Sequence, residues 1–457
     1  MPITHGSVKV ATTVQPGAEA AEEARQRRRV ILSGFVGSSI EYYDFLLYSS
    51  AASLVFTKVF FSNTSGAVGL LLSFSTLAIG YLIRPIGGII FGHFGDRLGR
   101  KRMLIITMSL MGAATFLVGL IPGYSSIGEA APVILIVLRL IQGIAVGGDW
   151  GGSSSISVEV AREGQRGRLA AFTNMGAPCG ATVSAAVLAL FGLLNPASFM
   201  AWGWRVPFLL AGPLVLVGLV IRLRMSESQV FKAAQKAAED RRKQEAAPIV
   251  TVLRTRWRGV LVGSLGTMSC FVFEGLMGSY ALTLATTEGH HSTGEALLAF
   301  SVLSAVQIVA VGYCGHLSDR VGRRKFLLIG LSIGLVCGYP SLWLVAQPSL
   351  ALFYLGMFIG MMALAAVFGP SAAFISEMFT TRTRYTGSSL GYQIGSTLGN
   401  GIAPLAAASL AAIGGFGYVA LYLIACHVLG LIVVGLARNT APSEDAAAPE
   451  IAAAEAV

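Results

Sequence analysis

Apolar runs and short polar breaks alternate along almost the whole chain of 457 residues. Each run is long enough to cross a bilayer as an α-helix, which takes about 20 residues at a rise of about 1.5 Å per residue. The pattern predicts an all-α membrane protein, and we number its predicted transmembrane segments spans 1 to 12. They cover residues 30–56, 67–95, 103–122, 131–159, 168–194, 205–224, 259–286, 295–316, 326–346, 349–378, 385–412 and 416–437.

The longest polar break separates two halves of six spans each. The N-terminal half covers residues 29–224 and the C-terminal half covers residues 259–437. Residues 225–258 form a charged linker, whose middle fits either an amphipathic helix on the membrane surface or a solvated tether. Residues 1–28 are expected to form a polar N-terminal tail, and residues 438–457 a disordered C-terminal tail.

The composition agrees with a chain whose solvent is mostly lipid. Hydrophobic residues make up 54% of the chain and charged residues only 12%, whereas about 25% of residues are charged in a typical soluble protein. The 55 glycines suit close helix packing in lipid. The five cysteines contain no CxxC pair and have no paired histidines, so we expect no disulfide, no metal and no other cofactor.

The formal net charge of +10 would suggest nucleic-acid binding in a soluble protein. The positions of the charges argue against it. If the N-terminus is cytoplasmic, 29 of the 33 Lys and Arg residues fall in cytoplasmic tails, linker and breaks. The external side holds Lys58 and Arg205, while Arg84 and Arg139 lie within spans. This asymmetry follows the positive-inside rule, so we expect a multi-pass cell-membrane protein with both termini cytoplasmic and no nucleic-acid partner.

One motif occurs twice, 223 residues apart, each time between two spans. It reads GHFGDRLGRKR at residues 92–102, which we call hinge 1, and GHLSDRVGRRK at residues 315–325, which we call hinge 2. Such a repeat in two halves of a hydrophobic chain is typical of a two-repeat membrane transporter. The candidate gating residues are Gly92, Gly95, Asp96, Arg97, Gly99, Arg100 and Lys101 in hinge 1, and Gly315, Asp319, Arg320, Gly322, Arg323 and Arg324 in hinge 2.

Each hinge carries an aspartate that is suited to bind the start of a helix. We expect Asp96 to accept hydrogen bonds from free N–H groups near residue 385, and Asp319 from those near residue 168, because an anion is favoured at a helix N-terminus. Such contacts would join the two halves and control a gate. The alternative is that the basic hinge residues only enforce the topology.

An acid and an arginine also repeat at a fixed spacing. Glu159 and Arg166 are seven residues apart, and so are Glu377 and Arg384. Each pair straddles a predicted turn on the same side as the hinges, between spans 4 and 5 and between spans 10 and 11. Each half therefore has a hinge after its second span and an acid–Arg pair after its fourth.

The hinges resemble the G-x-x-x-D-R-x-G-R-[RK]-[RK] motif of the major facilitator superfamily. Residues 37–45, 139–152 and 202–208 resemble the first, fourth and sixth helices of its metabolite:proton symporter family. The resemblance covers residues 29–437 and implies a twelve-helix fold of two pseudo-symmetric six-helix halves. It also implies symport of small organic acids or zwitterions with protons, and hinge contacts that close the cytoplasmic gate.

Polar side chains within the spans are candidates for proton coupling and substrate binding, because an ionisable group in lipid is costly unless it is paired or hydrated. The chain departs from the family pattern at two positions, with Asp149 where Glu is usual and Tyr42 where Trp is usual. The candidates are Glu41 and Asp44 on span 1, Arg84 on span 2, Arg139, Gln142 and Asp149 on span 4, and Glu274 on span 7.

The depth of these charges follows from the helical rise. Glu41 lies roughly 18 Å from the cytoplasmic face and Arg139 roughly 12 Å from the external face, which is one level in a core of about 30 Å. Asp44 lies on the face of Glu41, one turn closer to the exterior. The same estimate puts Arg84 and Asp149 at a common level. We therefore predict Glu41–Arg139 and Arg84–Asp149 ion pairs, which would serve either coupling or permanent bracing of the helices.

Together these features predict a secondary transporter that works by alternating access about a site between the halves. The proton gradient is the expected energy source, because the chain has no nucleotide-binding motif. The expected partners are a small organic acid or zwitterion, the proton and membrane lipid, and the expected state is a monomer. An exporter or uncoupled facilitator of the same fold remains an alternative, as more remotely does a membrane sensor or enzyme, which no catalytic triad supports.

Overall fold

A computed structural model of the chain describes residues 16–64, 66–162, 164–192, 194–225, 227 and 248–437. Most of the predicted linker and the whole C-terminal tail lie outside these residues, as does the start of the N-terminal tail. The described residues form helices and turns, without strands. The prediction of an all-α protein is confirmed.

The helices follow the predicted spans closely. Four π-helical turns interrupt or extend them, at Ala52–Phe56, Phe199–Gly203, Leu276–Tyr280 and Thr397–Gly401. The N-terminal half contains Pro16–Ala51, Thr57–Val59, Gly66–Leu82, Arg84–Leu98, Arg100–Leu120, Tyr124–Ile127, Ala130–Glu159, Arg166–Gly192, Pro196–Ser198 and Arg205–Leu223. The predicted linker contains the helix Pro248–Thr255, and the C-terminal half contains Trp257–Gly275, Ala281–Thr287, Thr293–Val321, Arg323–Val345, Leu350–Ser376, Arg384–Ser396 and Ala403–Leu436.

Ten helices in the described part of the chain are long and apolar enough to cross a membrane. One of them, Arg384–Leu436, covers 53 residues and contains spans 11 and 12. It breaks at Gly414 and Gly415, and Gly415 adopts a φ of 68°, which favours glycine. Span 5 corresponds to a further helix of 27 residues, Arg166–Gly192, so each of the twelve predicted spans is helical in the described residues.

Glycines let the helices approach closely, as in other membrane bundles. A Cβ on Gly147 of span 4 would overlap the backbone carbonyl of Arg84 on span 2. The exterior of the bundle instead carries large exposed apolar side chains, such as Val309, Val336 and Leu436. The polar residues of the spans described below therefore lie inside the bundle, whose exterior is largely apolar.

Candidate functional site

Four of the charges within the spans pair in a different order from the predicted one. Glu41 Oε1 lies 3.9 Å from Arg84 Nη1, and Asp44 Oδ2 lies 3.7 Å from Arg139 Nη1. The predicted Glu41–Arg139 pair is wrong. Depth estimates from helical rise are good to about one turn, roughly 5.4 Å, and Asp44 is one turn from Glu41. That error is enough to exchange the partners.

The predicted Arg84–Asp149 pair is also wrong, because Asp149 binds Arg222 of span 6. The two side chains form a bidentate ion pair, with N···O distances of 2.6 and 2.8 Å. Thr107 also donates a hydrogen bond to Asp149 Oδ1 at 2.8 Å. Arg222 lies within the last turn of span 6 and was counted among the cytoplasmic charges, yet its side chain is completely buried. The sequence signal that pointed to Arg222 was indirect: Asp149, an acid within a span, needs a cationic partner.

Asp44 belongs to a well-bonded network that joins spans 1, 3 and 4. Its Oδ1 accepts hydrogen bonds from Thr115 Oγ1 at 2.7 Å and from Gln142 Nε2 at 3.0 Å. Arg139 donates to Gln142 Oε1 at 3.4 Å, and its guanidinium lies 4.1 Å from the centre of the Tyr48 ring. The ion pair with Arg139 and the two hydrogen bonds compensate most of the negative charge on Asp44.

Glu41 is held much more loosely than Asp44. Its side chain is buried, and Oε2 has no hydrogen-bond partner among the described residues. Arg84, its ion-pair partner, lies over aromatic rings, 4.0 Å from the centre of the Tyr81 ring and 5.8 Å from that of Phe45. In the described part of the chain, Arg84 donates no hydrogen bond to an acceptor. Both charges are therefore able to exchange partners.

Glu274 faces the same region from the C-terminal half. Its Oε2 accepts hydrogen bonds from Asn400 at 2.7 Å and from the Tyr42 hydroxyl at 3.4 Å. The Tyr42 and Tyr392 hydroxyls are 3.2 Å apart, and the Tyr392 ring stacks on Trp150 at 3.7 Å between ring centres. Sequence analysis missed Tyr392 and Asn400, and it noted Tyr42 only as a departure from a family pattern.

These groups come together where spans 1, 2, 7 and 11 meet. Tyr42 joins span 1 to spans 7 and 11, and Thr397 of span 11 donates a hydrogen bond to the Tyr81 carbonyl of span 2 at 3.0 Å. The place is therefore an interface between the two halves. Among the described residues no cluster of three or more His, Cys, Asp or Glu side chains is suited to a metal ion.

Each hinge aspartate binds the predicted helix start in the opposite half. Asp96 accepts hydrogen bonds from the backbone N–H groups of Tyr385 and Thr386, at 3.3 and 3.0 Å. Asp319 accepts them from Gly167 and Arg168, at 2.9 and 2.8 Å. Both predicted contacts are present, and they hold the two halves together on the hinge side of the bundle.

The acid–Arg pairs cross between elements rather than closing their own turns. Glu159 Oε1 lies 2.8 Å from Arg384 of the other half and 2.5 Å from Arg100 of hinge 1. Glu377 is 3.3 Å from Arg323 of hinge 2. Arg166 and Glu377, both described, form no ion pair with each other. Among the described residues, an acid–Arg contact across the halves is therefore found at hinge 1 but not at hinge 2, where Asp319 makes the connection.

The remaining hinge residues fix the turn and the end of each half. Gly99 and Gly322 adopt φ values of 108° and 95°, a conformation that side chains disfavour. Lys101 Nζ donates to the Leu223 carbonyl at 2.8 Å, so it caps the last helix of the N-terminal half. Arg324 of hinge 2 donates to the Val434 carbonyl at 3.0 Å and caps the last helix of the C-terminal half.

Other hinge positions divide into packing sites and solvated charges. A Cβ on Gly92 would lie 2.7 Å from Thr386 Cα, and one on Gly95 would overlap the Tyr385 ring. A Cβ on Gly315 would likewise overlap the side chain of Ala171 on span 5. Arg97 and Arg320 are exposed. The small residues thus permit the two halves to meet, while the exposed arginines face solvent.

Comparison with known proteins shows what this chain is similar to. The family model of the Major Facilitator Superfamily matches residues 34–390 and 264–456. The inner membrane metabolite transport protein YhjE of Escherichia coli K12 is 35% identical over 422 residues, covering 91% of this chain and 94% of that protein. The shikimate transporter of the same strain is 35% identical, covering 90% and 95%.

A third relative and a solved structure extend the comparison. The proline/betaine transporter of Escherichia coli K12 is 30% identical over 421 residues, covering 91% of this chain and 84% of that protein. The proton:xylose symporter XylE bound to 6-bromo-6-deoxy-D-glucose has a TM-score of 0.70 at 19% identity, covering 90% of this chain and 95% of that one. At this identity the structural likeness shows a shared fold.

Proposed function

This chain belongs to the major facilitator superfamily and is a multi-pass membrane transporter of metabolites, and from that premise we propose that it takes up a small organic acid or zwitterion together with protons. The hinge side is cytoplasmic in this proposal, because the hinges, tails and linker carry most of the Lys and Arg residues. Both termini are then cytoplasmic, and one copy of the chain is sufficient for transport.

We assign the proton to Glu41. An ionised carboxylate in the interior is costly when one oxygen has no donor, and Glu41 Oε2 has none among the described residues. Protonation removes that charge and weakens the hold of Glu41 on Arg84, which is already at 3.9 Å. Arg84 is then available to a carboxylate of the substrate. The loose Glu41–Arg84 contact is the single observation that carries this proposal.

Asp44, Arg139 and Gln142 support that site from within the N-terminal half. Their hydrogen bonds fix span 1 against spans 3 and 4. Asp149 likewise forms a well-bonded ion pair, with Arg222, so we assign Asp149 to bracing the helices rather than to carrying the proton. Because Glu41 lies on the span that Asp44 anchors, its position depends on this network.

We propose that the hinges form the cytoplasmic gate. Asp96 and Asp319 bind helix starts in the opposite halves, and Glu159 binds Arg384 across the same boundary. Opening to the cytoplasm requires these contacts to break. The conformation described here is accordingly the one closed on the cytoplasmic side.

The test is uptake into proteoliposomes that contain the purified full-length chain. A panel of labelled carboxylates and zwitterions is offered with and without an inward proton gradient. Wild type should accumulate at least one compound only with the gradient. Glu41→Gln should abolish accumulation while preserving counterflow, and Glu129→Gln, which changes an exposed acid, should behave as wild type. Gradient-independent equilibration by wild type would favour an uncoupled facilitator and reject the proposal.

A further inference from the structure

Glu274 is an acid with no cationic partner among the described residues. It forms no ion pair with any Lys, Arg or His in the described part of the chain, although Asn400 and Tyr42 hydrogen-bond its Oε2. Its Oε1 accepts no hydrogen bond from the described residues, and the side chain is only half-buried. The amide and the phenol therefore fix the carboxylate through Oε2, and Oε1 is left without a hydrogen-bond donor among the described residues.

Arg84 is the complementary group at the same junction. Its guanidinium rests on Tyr81 and Phe45 rather than on hydrogen-bond acceptors, and its one ion pair among the described residues is the long contact with Glu41. Glu41 and Tyr42 are consecutive on span 1, and they contact Arg84 and Glu274 respectively. Arg84 and Glu274 therefore contact neighbouring residues of span 1, one from each half of the protein.

The balance of charge at this junction limits what it accepts. With Glu41 protonated, Arg84 and Glu274 leave one positive and one negative group without a protein partner. A substrate with a carboxylate and a cationic group satisfies both. A dicarboxylate would place its second anion against Glu274, and a juxtaposition of like charges discriminates strongly against a ligand.

We propose that Glu274 is the subsite for a cationic group, so that the protein selects net-neutral zwitterions over substrates whose only charges are carboxylates. The carboxylate of the zwitterion binds Arg84, and its ammonium group binds Glu274 Oε1. This inference rests on the proposed function, because it assumes that the junction of spans 1, 2, 7 and 11 is the transport site.

Matched ligand pairs test the inference on the wild-type protein. Glycine betaine and 3,3-dimethylbutanoate have nearly the same shape, but only the first carries a cation. Proline and cyclopentanecarboxylate form a second pair. Binding is measured by thermal stabilisation of the purified full-length chain in detergent. In at least one pair the zwitterion should bind about tenfold more tightly or better. A carboxylate isostere that binds as tightly as its zwitterion would overturn the inference, whatever any variant does.

Variants identify the residue responsible. Glu274→Gln should lower zwitterion affinity by about tenfold or more and leave the affinity for the paired carboxylate unchanged or higher, which also shows that the variant is folded. Glu288→Gln is the matched control, because Glu288 is an exposed acid at the far end of span 7. An unchanged preference for zwitterions in Glu274→Gln would reject the assignment.

Failure of this inference can be told apart from failure of the proposed function. If wild type accumulates monocarboxylates under a proton gradient and Glu274→Gln does the same, proton-coupled uptake stands and the cationic subsite is wrong. If zwitterions bind with the expected preference but no gradient drives their uptake, the subsite stands and the coupling is wrong.

Discussion

Asp149 and Arg222 are the clearest case of a residue pair whose loss should be structural. Both are buried, and each has the other as its charge partner. Removing one member of a buried pair typically costs about 3–5 kcal/mol, whereas replacing both with apolar residues is often tolerated. Arg222→Met should therefore lower the melting temperature sharply, and the double variant with Asp149→Leu should recover most of it. Equal melting in all three proteins would contradict the bracing role.

A substitution at Arg84 tests whether the planar geometry of its guanidinium contributes to substrate binding. Arg84→Lys keeps the charge but loses the planar fork that binds a carboxylate through two hydrogen bonds. Substrate affinity should fall about tenfold or more, in a binding assay on the purified protein. Arg162→Lys changes an exposed arginine and is the control. Wild-type affinity in Arg84→Lys would remove Arg84 from the binding site.

At the scale of elements, the close approach of spans 2 and 11 depends on Gly95. A methyl group there would overlap the Tyr385 ring when the halves are closed on the hinge side. Gly95→Ala should therefore shift the protein toward the conformation open on that side, while Gly435→Ala, which meets nothing within 4 Å, should not.

Labelling of a buried cysteine measures that shift. Ser376 is fully buried and its Oγ donates to Ser154 Oγ across the halves at 3.2 Å. With the five native cysteines replaced by alanine, Ser376→Cys should react with a thiol reagent faster in Gly95→Ala than in Gly435→Ala. Equal rates would contradict the packing account of the hinge glycines.

The spans could be predicted from local apolar runs, and the hinge contacts, which join residues as much as 290 positions apart, from one motif that occurs in both halves. Lipid requires long apolar runs, and an aspartate next to a helix start has a definite partner. The ion pairs could not be predicted, because they depend on helix rotation and tilt. Glu41 and Asp44 differ by one turn, and sequence alone does not decide which of them meets Arg139. Arg222 was missed because a long side chain near a helix end is able to turn inward.

At the scale of the whole molecule, the proposed gate depends on the contacts of two aspartates, Asp96 and Asp319. An acid at a helix N-terminus contributes about 0.3–1 kcal/mol, and up to about 2 kcal/mol when partly buried. Asp96→Asn should shift the equilibrium toward the open cytoplasmic side, by about tenfold for each 1.4 kcal/mol lost. Faster labelling of Ser376→Cys and slower turnover should follow.

The competing explanation is that the basic residues of the hinge only enforce the topology of the chain in the membrane. Arg97→Gln is the matched control, since Arg97 is an exposed basic residue of hinge 1. Labelling should rise in Asp96→Asn and stay at the wild-type rate in Arg97→Gln. If neither variant changes labelling or transport, the hinge contacts do not control the gate.

Proton movement that accompanies the substrate is the most direct test of the central claim. Proteoliposomes are loaded with a pH-sensitive dye, no gradient is imposed, and a transported substrate from the uptake panel is added outside. Substrate addition should acidify the lumen in wild type and should leave the luminal pH unchanged in Glu41→Gln. Substrate entry without acidification in wild type, or wild-type acidification in Glu41→Gln, would contradict the central claim.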